Sequence, residues 1–119
     1  MAAFTKRKLS ASTDGKGISV AAVASPGTPL HVAVAGQVAG TFDEVWLWAY
    51  NSHTASIALT IEMGGTSGPG DVIVQTIPFA SGLFLVVPGL IMQNGGTCGA
   101  FASVASVVSI KGFVNNMTD

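Results

Sequence analysis

Along residues 42–63, FDEVWLWAYNSHTASIALTIEM, apolar side chains alternate in size more than they alternate with polar ones. Trp46, Trp48 and Tyr50 fall on one parity and Val45, Leu47 and Ala49 on the other. A strand here would carry aromatics on one face and smaller apolar groups on the opposite face. Asn51, Ser52, His53 and Thr54 follow, residues whose side chains bond nearby backbone and so mark a turn. Ile57, Leu59, Ile61 and Met63 then alternate with Ala58, Thr60 and Glu62, the pattern of a half-buried strand. The two runs read as a hairpin. With one strand apolar on both faces, such a hairpin needs further strands, or another chain, to cover it.

The same period of two recurs on either side. Residues 8–12 read as a short strand closed by the turn signal Asp14-Gly15, and residues 17–24 (GISVAAVA) as its return. Residues 25–29 (SPGTP) are expected to be a loop, because two prolines so close together disrupt a regular ladder. Residues 31–35 (HVAVA) alternate again. Beyond the central pair, a glycine-rich loop at 64–70 leads to strands at 71–77 (DVIVQTI), 83–87 (LFLVV) and 90–93, with Pro88-Gly89 between the last two. One long strand or two should lie within residues 99–113. About eight to ten short strands, spaced by roughly 8 to 12 residues and with no 3.6-residue period anywhere, predict an all-β chain. The expected architecture is a two-sheet β-sandwich, jelly-roll or Greek-key-like. Residues 1–7 are expected as an N-terminal extended arm and residues 8–119 as the sandwich domain.

Charge changes this picture. The chain has 119 residues and a mass of 12.0 kDa, enough for one domain. Only 9% of its residues are Asp, Glu, Lys or Arg, against about 25% in an average soluble domain. A monomer of this mass exposes roughly 6,000 Å² of surface. Five basic and six acidic side chains are few for such an area, and 49% of the residues are apolar. A subunit whose flanks are covered by neighbours is therefore expected, a homo-oligomer. A membrane-spanning helix is not expected. Residues 72–110 carry no charge, yet their longest apolar run, 83–92, is interrupted by Pro88-Gly89 and falls short of the ~20 residues a span requires. The basic N-terminal segment is not followed by an apolar core, so no secretory signal is expected, and synthesis in the cytoplasm is. Cys98 is the single cysteine, which excludes an internal disulfide and the usual cysteine-based zinc sites. With a net charge of −1, no nucleic-acid partner is expected.

Residues capable of chemistry are scattered. Asp43 and Glu44 are adjacent, so a strand sends them to opposite faces and they cannot flank one substrate. His31 and His53 have no metal-ligand spacing, and no nucleophile-elbow motif accompanies them. The 64–70 loop lacks the Gly-Lys-Ser/Thr of a phosphate-binding loop. No catalytic residue, metal or cofactor is expected. Trp46, Trp48 and Tyr50 are read as a core or subunit-contact stripe, with a sugar-stacking strip as the alternative. Phe4, Lys6, Arg7 and Lys8 are read as partner contacts, an apolar anchor beside consecutive cations.

The series KLSASTDGKGISVAAVASPGTPLHVA, DEVWLWAYNSHTASIALTIEMGG, DVIVQTIP, LFLVVPGLIMQNG and VVSIKGFVNNMT resembles small all-β virion proteins from the structural gene blocks of tailed bacteriophages. The resemblance runs from Lys8 onward and consists of strands and turns, with no catalytic motif. It implies a non-enzymatic capsid decoration or cement protein that binds the outer head lattice as an oligomer. Its partners would be copies of itself and the major capsid protein or other virion proteins, and its location the virion. The alternative it leaves open is a neck, tail or head-fibre component, including a lectin-like module built on Trp46, Trp48 and Tyr50.

Overall fold

The computed structural model describes residues 2–119. These residues form nine strands and no helix: β1 (Ala3–Lys8), β2 (Ile18–Ser19), β3 (Thr28–Val32), β4 (Phe42–Asn51), β5 (Ile57–Met63), β6 (Val72–Ile77), β7 (Phe84–Met92), β8 (Thr97–Ala102) and β9 (Val108–Thr118). They make two antiparallel sheets. One has the order β1-β9-β4-β7 with β2 also on β9, and the other the order β3-β8-β5-β6. The chain is thus an all-β, two-sheet sandwich. Its pairing is nested, β2 with β9, β3 with β8, β4 with β7 and β5 with β6, the pattern of one long hairpin wound around itself as in a jelly roll.

The core lies between the sheets. Val45, Leu47 and Ala49 of β4, Val87 of β7 and Val108, Ile110 and Val114 of β9 face inward from the five-stranded sheet. Leu30, Ile57, Leu59, Ile61, Ile77, Ala100 and Ala102 meet them from the four-stranded sheet. A buried polar bridge joins the sheets at one end. His31 of β3 accepts the Ser10 N–H at Nδ1 (2.9 Å), which leaves its proton on Nε2 to donate to Asp43 of β4 (2.7 Å). Asp43 also accepts from Asn116 of β9 (2.7 Å) and from the Val34 N–H (3.2 Å). At the opposite end Asn51 donates to the carbonyls of Ala55 and Ile77, both at 2.9 Å, and accepts the His53 N–H at 2.8 Å.

Several expectations are corrected. The runs at 42–51 and 57–63 are strands but not a hairpin: β4 belongs to one sheet and β5 to the other. The Asn51 bonds explain this, because they fasten the turn to the end of β6 and carry the chain across the sandwich. Residues 9–12 are not a strand, Lys8 being the last residue of β1, although the Asp14-Gly15 turn is present, with Lys16 N–H donating to the Thr13 carbonyl at 2.9 Å. The segment expected as an extended arm is extended, and over Ala3–Lys8 it is the edge strand β1, paired with β9 from Ala3↔Thr118 to Lys8↔Phe113. Met1 of that arm lies outside the described residues. Thr28 and Pro29 begin β3 and do not end a loop, and Pro88-Gly89 lies within a single β7 where two strands were expected. Both prolines sit on edge strands, where a missing donor breaks no inner ladder. Register shifts opposite Trp46 and Trp48 absorb the irregularity in β7.

Candidate functional site

Alternation along β4 decides what the five-stranded sheet shows to the outside. Val45, Leu47 and Ala49 are fully buried, so Glu44, Trp46, Trp48 and Tyr50 point outward. The core half of the aromatic-stripe reading is therefore corrected. Trp46 and Trp48 are half-buried on the outer face and Tyr50 is 41% exposed. The smaller apolar parity took the interior.

Register assembles the rest of this face. One row runs Lys6, Asn115, Glu44, Ile91 across β1, β9, β4 and β7; the next runs Lys8, Phe113, Trp46, Pro88; the next holds Lys111, Trp48, Leu85. Phe4 stands beside Met117 at one end of the face and is 64% exposed. The three central rings pack on one another, with centroids 6.1 Å apart for Trp46 and Trp48, 6.4 Å for Trp46 and Phe113, and 5.9 Å for Trp48 and Phe113. Interplanar angles of 19°, 14° and 26° make these offset stacks. Lys6 Nζ lies 4.2 Å from the Phe113 centroid, a cation–π contact. Gly89 closes the other side: its φ is +79°, and a Cβ there would lie 2.8 Å from the Trp46 ring. The rings form one packed patch between Lys6 and Gly89, which suits an apolar contact.

Electrostatically the face is one-sided. Lys6, Lys8 and Lys111 lie toward β1 and β9, and Glu44 is the one carboxylate among the outward residues of the four paired strands. Glu44 accepts from Trp46 Nε1 at 2.7 Å and Asn115 Nδ2 at 3.0 Å, and these bonds, the first foremost, hold its carboxyl below the usual range. Among the described residues no lysine or arginine pairs with a carboxylate, the one short charge-type contact being His31 with Asp43. Of the residues expected to act together, Phe4, Lys6 and Lys8 share this face, whereas Arg7 alternates to the other side of β1. Lys111, Phe113 and Asn115 were missed. The alternation of Ser109, Lys111, Phe113 and Asn115 along the last run was the available signal.

A cleft of about 230 Å³ lies on the four-stranded side, lined by residues that include Pro26, Gly27, His31, Glu62 and Cys98. Its buried carboxylate and imidazole are already committed. Glu62, 3% exposed, accepts from Ser25 Oγ and the Gly27 N–H, both at 2.7 Å. Both His31 nitrogens are bonded as described above. Burial, reinforced by the Glu62 charge, pushes the Cys98 thiol up to about 12, far from a reactive thiolate. Among the described residues no buried side-chain polar atom lacks a partner, and no cluster of His, Cys, Asp and Glu is placed to hold a metal.

Comparisons with family models, with curated proteins and with solved structures find no match to this chain.

Proposed function

We propose that the protein is a non-enzymatic structural subunit of a virion, of the capsid decoration or cement type, and that it docks through the outer face of its five-stranded sheet. The observation that carries this reading is a face of packed aromatics and exposed apolar groups on a domain whose core is already complete without it. Buried titratable groups support the non-enzymatic part, because the bonds of His31, Asp43 and Glu62 are consumed in joining strands and loops. Self-association into a trimer is assigned to the opposite flank, around the β6–β7 connection. Val74, Phe79 and Leu83 are exposed there within a stretch, 72–110, that has no charged residue. Quantitative mass spectrometry of purified particles from the genome that encodes the chain tests the reading. The protein should be present in numbers comparable to those of the shell subunit. Its absence from particles would overturn the virion role, and a copy number in the range of a single portal or tail would move it to the neck or tail. Light scattering of the isolated protein should give a trimer mass, not 12.0 kDa.

A further inference from the structure

We infer that the lysine-bordered half of this outer face receives an acidic polypeptide surface of a different protein, and that a second copy of the same face does not occupy it. The inference rests on the docking role just proposed and specifies the chemistry of the partner. Lys6, Lys8 and Lys111 stand around Phe113 on neighbouring strands, and none has an ionic partner within the described domain. Glu44, the carboxylate on the same face, is already engaged by Trp46 and Asn115 and is not free to neutralise them. The lysine charge is therefore left for a partner to meet.

Two copies meeting through this face would bring six lysines, three from each, into one contact whose outward strand carboxylates are the two already engaged Glu44 side chains. Like charges brought together in a contact oppose association, so the same surface that favours an acidic partner disfavours itself. The partner must also be apolar in part. From the lysine side the face passes through Phe113, Trp46 and Trp48 to Leu85, Pro88 and Ile91, where no charge remains. A protein strand or loop that alternates carboxylates and aliphatic groups matches this gradient. A nucleic acid or a glycan matches less well, because neither brings aliphatic groups to the uncharged side at Leu85, Pro88 and Ile91.

The chain's two tryptophans, Trp46 and Trp48, both lie on this face, so intrinsic tryptophan emission reports on it alone. The probes are a synthetic peptide of alternating Glu and Leu, the matching Lys and Leu peptide, oligo(dT) and heparin, each titrated at low and at physiological salt. The Glu and Leu peptide is expected to shift the emission, more strongly at low salt, and the Lys and Leu peptide to leave it unchanged. The double variant Lys8→Glu, Lys111→Glu should bind the acidic peptide roughly tenfold or more weakly, with an unchanged melting temperature. Equal or tighter binding of oligo(dT) or heparin would overturn the assignment to a polypeptide, and no response to any anionic probe would overturn the site itself. Particle incorporation separates this inference from the docking role. If the double variant enters particles as fully as the parent chain, the acidic-partner inference fails while the virion role stands. If the peptide result holds but the parent chain is absent from particles, the virion role fails and the acidic-partner surface stands.

Discussion

The two sheets treat their outer faces in opposite ways. The four-stranded sheet presents Ala58 and Thr60 beside the larger Phe101 and Val74, and the chain lays its own 25–27 loop over one end of this face. Glu62 anchors that loop through Ser25 and Gly27, and Gly27 approaches so closely that a Cβ there would sit 2.6 Å from the Ala100 backbone. On the five-stranded sheet the central outward groups are large aromatics, and among the described residues no loop is pinned across them by side-chain hydrogen bonds. Hydrophobicity alone does not separate the two. One face is closed at one end by the chain itself, and the other is filled only as far as the aromatics fill it among themselves.

The largest effect should come from uncovering that closed end. Glu62→Ala removes two short charge-assisted bonds and is expected to cost roughly 2 to 4 kcal/mol in chemical denaturation. It should also expose Cys98, whose raised pKa depends first on burial, so labelling by a thiol reagent at neutral pH, negligible in the parent chain, should become measurable. Unchanged stability with Cys98 still protected would mean that the loop is held by something other than Glu62.

Trp48→Ala on the open face should do less to stability and more to binding. A core tryptophan truncated to alanine costs about 3 to 5 kcal/mol, but the contacts of Trp48 are two offset stacks worth about 0.5 to 1.5 kcal/mol each beyond area. A loss of roughly 1 to 3 kcal/mol, a folded protein and abolished docking are expected. A loss as large as that of Leu47→Ala would restore the core reading.

Lys6→Ala removes one cation–π contact, and about 0.5 to 1 kcal/mol is expected from thermal unfolding. The smallest effect concerns Glu44. Its pKa is lower in the folded chain, so its contribution is fully present above the ordinary carboxylate pKa and is lost as pH falls through the lowered folded value. Because Trp46 Nε1 donates to it, an acid titration of tryptophan emission should show this step below the usual carboxylate range. Glu44→Gln should abolish the step.

The fold class was legible in the alternation of residues along the strands, and so was the division of β4 into two faces. Which face of β4 turned inward was not, because both parities are apolar and the choice depends on what fits the gap between sheets about 10 Å apart. Branched and small side chains from opposing strands fill that gap here, which leaves the tryptophans outside. The turn after Asn51 was visible as a turn. Its destination was not, since the bond from Asn51 to the Ile77 carbonyl joins positions 26 apart in the chain. The docking face was legible only in part for the same reason: Phe4, Lys6 and Lys8 are local, while Phe113 and Lys111 reach them through register.

The nested pairing has a consequence in time. The inner pair, β5 and β6, is joined by the short 64–71 connection, whereas each pair outside it closes a longer loop, and β1 with β9 brings Ala3 to Thr118. Loop closure grows costlier with length, so assembly is expected to begin near the middle of the sequence and to finish at its ends. The aromatic and lysine face is built on β1, β9, β4 and β7, all of them members of the outer pairs. A chain still folding has no such face to offer, so under the docking role proposed above only a finished domain is competent.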